Sequence, residues 1–188
     1  NIPNIVDKSV PVGTAEKNRV IGKYGKPKKI ADAKGHEELL NALNQLDMER
    51  AGKVAGARFY YLKNELVKLN YAIINFALDL FRKKGFTLVQ PPYMLRRDAL
   101  KGAIPLSAFE EMIYKIQDED LYLIGTAEHA LNAYYMDEIL QAENLPIRFA
   151  GISPCFRKEA GSHGKDTKGI FRIHQFEKVE QFIFCKPE

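Results

Sequence analysis

Residues Phe156 to Phe182 read FRKEAGSHGKDTKGIFRIHQFEKVEQF, two strand-like runs around a glycine-punctuated loop. Two arginines, three glutamates, two histidines and four phenylalanines fall within this stretch. Side chains alternate faces along a strand, so parity sorts them. In the second run Arg172, His174, Phe176, Lys178, Glu180, Phe182 and Phe184 share one face, and Ile173, Gln175, Glu177 and Val179 share the other. Arg157 and Glu159 share a face of the first run. With Glu159 paired to Ile170, Arg157 stands opposite Arg172 and both arginines point the same way.

That face carries two guanidiniums, an aromatic ring and, further along, a carboxylate. Phe176 and Glu180 lie roughly 13 Å apart at about 3.3 Å per residue, about the span from a stacked base to the aminoacyl end of an aminoacyl nucleotide. Arginine forks bind phosphate bidentately, and a carboxylate accepts from a hydroxyl or an ammonium. A charged strand face is ordinarily just solvated, and an exposed Arg–Glu pair contributes under ~1 kcal/mol. The order of residue types is what sets this face apart. Phe176 has Arg172, His174, Lys178 and Glu180 as same-face neighbours, which a core face would not hold unpaired.

Outward from this hairpin, helices and strands are interspersed, which predicts an α+β fold: an antiparallel sheet flanked by helices. The run from Phe149 to Lys158 and that from Phe171 to Phe184 are its longest strands. LYLI, from Leu121 to Ile124, is a short strand, and Thr126 is placed to cap a helix running to Leu140. Leu39, Leu40, Leu43 and Leu46 recur at helical spacing and predict a helix over 36–51. Leu66, Leu69, Ile73, Phe76, Ala77 and Leu80 predict a stronger one over 65–84, with Gly85 at its end. In GFTLVQPPYML, which follows, the paired prolines demand an edge or a bend. Residues 1–35, including PVGTAEKNRVIGKYGKPKK, have little periodicity and read as an extended connector with room for one short strand. Lys23, Lys26, Lys28 and Lys29 are simplest as a solvated part of it.

The 188 residues, 46% hydrophobic and 28% charged, suffice for one respectable core. A formal net charge of +4 and a pI near 8.9 permit contact with phosphates without demanding it. No apolar run approaches the ~20 residues of a membrane span, and the start lacks the order of a signal peptide. Cys155 and Cys185 have neither metal-ligand spacing nor the density of a disulfide scaffold, so a reducing, cytoplasmic setting is expected.

The stretch quoted first closely resembles the second signature motif of class II aminoacyl-tRNA synthetases, in the form carried by their serine-specific members. GFTLVQPPYM resembles the first motif, whose proline, here Pro92, belongs to a homodimer interface in that family. GTAEHAL is similar to the element that closes on the amino acid, NIPNIVDKSVPVG to the connector after an N-terminal coiled-coil arm, and RFYYLKNELVKLNYAIINFAL to the helix before the first motif. The resemblance divides the chain into a connector over 1–35 and the front part of a class II catalytic domain over 36–188. The third motif is expected beyond residue 188, and the coiled-coil arm before residue 1.

The resemblance implies a parent that activates L-serine with ATP and loads it on tRNA(Ser), with Mg²⁺ as cofactor and its ligands mostly outside this segment. It implies that Arg157 holds the α-phosphate and is the catalytic group, that Glu159 accepts from the adenine amino group and that Phe176 stacks on adenine. Arg172 falls toward the outer phosphates, with Lys158 and Ile173 completing the ATP site. Thr126, Ala127 and Glu128 form the serine subsite, with Glu180 on the serine hydroxyl. Lys165 and Lys168 lie in the loop expected to meet ATP and then the tRNA acceptor end. Without the motif, Thr126 would be only a helix cap and Glu128 only a first-turn acid. His163 and His174 read as structural residues, since no cluster has metal spacing. Two rivals share the sequence: a synthetase-like scaffold that loads something other than tRNA, and a non-catalytic nucleic-acid or dimerisation module.

Overall fold

The computed structural model describes residues 6–105, 111–159 and 169–187. The chain divides into two units, Asn1–Ala33 and Lys34–Glu188. In the first, every described residue is exposed, and regular structure amounts to one 3₁₀ turn at Ala15–Lys17; the short strand that the sequence left room for does not form among the described residues.

The second unit opens with α1 (His36–Ala42), β1 (Leu46–Asp47) and α2 (Met48–Ala55), where the leucine spacing predicts one continuous helix. Asn44 breaks it at φ 53°. The backbone of the following residues is used elsewhere: Lys63 donates to the Gln45 carbonyl, and β1 pairs antiparallel with β2 (Tyr61–Leu62). Asp47 then starts α2 afresh, its carboxylate accepting from the Arg50 N–H at 2.9 Å.

The long helix α3 (Asn64–Lys83) forms where its periodicity places it. It stops in a Schellman arrangement, with Phe86 N–H on the Phe81 carbonyl, Gly85 N–H on that of Arg82, and Gly85 at φ 80°. The Phe81 and Phe86 rings meet edge-on at 5.1 Å, the apolar contact that accompanies this cap. The proline pair falls in the bend between β3 (Thr87–Val89) and β4 (Met94–Leu95). After β4 come α4 (Arg97–Lys101), β5 (Tyr122–Leu123), which pairs antiparallel with β4, and α5 (Ala127–Asn132). No described helix is long and apolar enough to cross a membrane.

The main sheet contains β3, β6 (Ile147–Phe156) and β7 (Gln175–Phe184) in the order β3-β6-β7. β6 and β7 form the expected antiparallel pair, but β3 lies parallel to β6, so this sheet is mixed. The chain reaches β6 from β3 through α4 and α5 rather than through a tight turn, the kind of crossover that parallel neighbours require. Pro154 sits inside β6 at no cost. Phe156, of the same parity, directs its N–H away from β7 to the Ile124 carbonyl, and β3 ends opposite Gly151, so the missing N–H falls at an edge.

α5 is shorter than the helix expected to reach Leu140, ending at Asn132. Successive i→i+3 turns follow it, from Tyr134 to Leu131 and from Met136 to Ala133, and they lay the Tyr135 ring against Phe149 and Phe184. The helix thereby joins two apolar clusters. Ala130 packs with Leu95, Leu100 and Ile124, while Ala127 and Leu131 pack with Phe149 under a rim that includes Phe182 and Phe184.

Candidate active site

Cross-strand partners on β6 and β7 share a face, and here the face is graded. Phe149 stands opposite Phe182, Gly151 opposite Glu180, Ser153 opposite Lys178 and Cys155 opposite Phe176. The Phe149 end is covered by α5. Gly151 is what lets the helix come down: a Cβ there would lie 2.8 Å from Leu131 Cδ1 and 3.0 Å from Ala127 Cβ. The face beyond Gly151 turns polar.

The first polar group is Glu180. Lys178 Nζ donates to its Oε1 at 2.7 Å, the Thr126 hydroxyl donates to its Oε2, and the Glu128 N–H reaches Oε2 at 3.3 Å. Lys178 Nζ also donates to Thr126 Oγ1 at 3.1 Å. Burial alone would push the Glu180 carboxyl up, but the hydrogen bonds from Lys178 and Thr126 outweigh it and hold the group below the usual glutamate range. Thr126 also caps α5 as expected. Ala127 is buried beneath the sheet face, whereas the Glu128 side chain is exposed and only its N–H joins the cluster.

Further along, Arg157 lies over the Phe176 ring, its guanidinium carbon 5.2 Å from the centroid, and donates Nε–H to the Gly125 carbonyl at 3.0 Å. These two residues, with Glu159, Ile170, Phe171, Arg172 and Ile173, line a cleft of about 620 Å³. The register here differs from that expected. Arg157 N–H bonds to the His174 carbonyl, continuing the ladder in which Phe156 faces Gln175, so the pairing is displaced by two residues from Glu159 opposite Ile170. Within the paired strands a two-residue displacement keeps side chains on their faces and exchanges partners, but β7 begins only at Gln175 and the alternation expected from Phe171 fails ahead of it: Ile170, Phe171, Arg172 and Ile173 all line the cleft. Arg172 donates to Glu159 Oε2 at 2.9 Å. Lys158 is tied through its backbone N–H to the Met112 carbonyl and does not line the cleft. Lys165, Lys168 and His163 lie outside the described residues, and Pro92 is exposed in the bend before β4.

Three side chains not given a role from the sequence belong to this site. Lys178 bridges Glu180 and Thr126; parity put it on the face, but its partner Thr126 lies 52 residues earlier, on another element. His129, on α5, accepts the Gly125 N–H through Nδ1 at 3.2 Å, and burial first, with the Arg157 charge second, lowers its pKa to about 4. Tyr114 places its hydroxyl 2.8 Å from His174 Nδ1. His174 has the structural part expected of it: it stacks on Phe59 at 5.1 Å, and its Nδ1 lies 2.8 Å from the Arg157 carbonyl. Among the described residues no three His, Cys, Asp or Glu side chains gather to hold a metal ion, so the site as described does not by itself form a Mg²⁺ cage. Both cysteines are free, Cys155 buried and Cys185 exposed.

A family model for the tRNA synthetase class II core domain (G, H, P, S and T) matches residues 112–188. The whole chain is 59% identical to part of the serine–tRNA ligase of Cenarchaeum symbiosum and 52% identical to part of that of Archaeoglobus fulgidus, covering 45% and 46% of those proteins. Among solved structures it resembles the cytoplasmic serine–tRNA ligase of Naegleria fowleri in complex with AMP, with a TM-score of 0.88 at 38% identity over 98% of this chain and 45% of that one. It also resembles seryl-tRNA synthetase from Pyrococcus horikoshii complexed with ATP, with a TM-score of 0.75 at 58% identity over 78% of this chain and 33% of that one. The chain belongs to the class II aminoacyl-tRNA synthetases. Within that class its family is seryl-tRNA synthetase, and it spans about half the length of the relatives it matches.

Proposed function

We propose that the full-length protein carrying this segment is an ATP-dependent serine–tRNA ligase, working in the cytoplasm as a homodimer, and that the graded face of β6 and β7 is its activation site. The observation that carries this reading is the order of groups along one face: Arg157 over Phe176, then Lys178, then Glu180 joined to Thr126. In this reading adenine stacks on Phe176 while Glu159, one oxygen held by Arg172, accepts from the adenine amino group. Ile173 lines the same cleft, and Arg172 extends toward the outer phosphates.

Serine sits at the other end, its ammonium near Thr126 and Glu128 and its hydroxyl on Glu180. One carboxylate oxygen of serine attacks the α-phosphorus, the bond to the β-phosphate oxygen breaks, and pyrophosphate leaves. Arg157 stabilises the negative charge that builds on the α-phosphate. A ribose hydroxyl at the end of tRNA(Ser) then attacks the seryl carbonyl and AMP departs. Positioning and electrostatics suffice, and no protein nucleophile is needed. Mg²⁺ would accompany ATP and neutralise its phosphates. Lys165 and Lys168 are assigned to the tRNA acceptor end, and Pro92 with the exposed face of α3 to the dimer contact.

Serine- and alanine-dependent ATP–pyrophosphate exchange by the full-length protein tests the reading. Serine is expected to be preferred by about 10⁴-fold or more, because a site built to hydrogen-bond a substrate hydroxyl discriminates on that order against the analogue that lacks it. Glu180→Ala should shrink that ratio by at least roughly a hundredfold. An unchanged ratio removes Glu180 from the role, and absence of serine-dependent exchange overturns the function.

A further inference from the structure

Gly125 is held from both sides of its Cα. Its N–H donates to His129 Nδ1 at 3.2 Å, and its carbonyl accepts from Arg157 Nε at 3.0 Å. The contact is tight: a Cβ on Gly125 would lie 3.2 Å from His129 Cε1 and 3.3 Å from Ile113 Cδ1. His129 is only 7% exposed and is not among the residues that line the cleft. The next residue, Thr126, donates its hydroxyl to Glu180. One turn thus carries the support of the arginine through its carbonyl and a serine-subsite hydroxyl through the side chain that follows.

We infer that His129 is a positioning residue for activation: by accepting the Gly125 N–H it fixes the carbonyl that aims Arg157, without itself meeting substrate. The inference rests on the reading of Arg157 as the phosphate-binding arginine. An acceptor on the first turn of α5 would serve the helix alone if Gly125 ended there, but the same residue passes the constraint to the guanidinium. Burial keeps the ring neutral, so the Nδ1 lone pair stays available at neutral pH. An interaction that strengthens as charge builds acts on kcat more than on KM. A misaimed guanidinium should therefore slow adenylate formation more than it weakens ATP binding.

The test is serine-dependent ATP–pyrophosphate exchange in the full-length protein with His129→Leu, His129→Asn, Arg157→Ala and the double variant Arg157→Ala/His129→Leu. Leu and Asn have nearly the same shape, but only Asn offers an oxygen about where Nδ1 stands. His129→Leu should lower kcat about tenfold or more with a smaller change in the KM for ATP, since misplacement on the scale of 1 Å costs up to about a hundredfold. His129→Asn should recover to within about threefold of the parent, and His129→Leu should cause little further loss once Arg157 is gone. Equal rates for the Leu and Asn variants, or a full additional loss in the Arg157→Ala background, overturn the inference. Arg157→Ala at parental rate overturns the phosphate reading itself, a distinct result. If His129→Leu does not fold, His129→Met supplies the same contrast with His129→Asn.

Discussion

A buried imidazole that stays neutral makes the fold sensitive to acid. His129 titrates near 6.5 in an unfolded chain and at about 4 here, through burial and the facing Arg157 and Lys178 charges, with Glu180 opposing them. Between those values the unfolded chain binds a proton that the fold refuses, so this group lowers stability as pH falls from 6.5 to 4 and adds no further loss below. The Glu180 carboxyl, held low in the fold, adds its own loss only in the more acidic range below 4.5. Unfolding free energies from denaturant titration at pH 7.5 and 5 should therefore lie closer together in His129→Asn than in the parent, by about 1–2 kcal/mol. Identical spacing would mean that the ring titrates alike in both states. At this scale the sequence exposed much of the site. Parity puts Phe176, Lys178 and Glu180 on one face, because a strand's period is local, and Arg157 joins them only through an assumed cross-strand pairing. His129 was illegible, since its role depends on how one glycine turns and on a guanidinium arriving from another strand.

Elements were legible where a local signal was complete. α3 carried its own stripe, basic last turn and glycine stop, and it forms as its periodicity dictates. The helix expected over 36–51 failed because periodicity does not register a competing partner: the Gln45 carbonyl and Leu46 are taken up by pairing with residues 61–63. The hairpin forms with the expected faces from Gln175 onward but with its register displaced by two residues, since a period of two cannot tell one pairing from the next; ahead of Gln175 the expected strand gives way to a bend and its alternation is lost. Where α5 meets the sheet, Gly151 leaves no space for a side chain. Gly151→Val should lower stability by about 1–3 kcal/mol, as overpacking does, and raise the KM for serine by lifting Thr126 from Glu180. Chemical denaturation and exchange kinetics read the two effects. An unaltered KM in a destabilised protein would show that the helix yields without moving its first residue.

Over the whole molecule, the α3 stripe that reads as a core face is largely bare in the single chain. Leu69, Ile73, Phe76 and Leu80 are 53%, 60%, 71% and 41% exposed. Hydrophobic periodicity announces that a face is to be covered, but not by which chain. A second copy is the cover that the proposed homodimer supplies, and Phe76→Asp in the full-length protein should shift sedimentation from dimer toward monomer while leaving the fold of each chain intact. A sedimentation coefficient equal to the parent's would put the dimer contact elsewhere.

The two thiols have opposite access. Cys185 is exposed just past the end of β7, while Cys155 is fully buried directly across from Phe176, with burial raising its pKa. A thiol reagent thus meets one cysteine at once and the other only when the paired strands part, because the reactive thiolate must first form and be reached. The floor of the proposed nucleotide site contains its own clock, whose rate reports how often that floor opens.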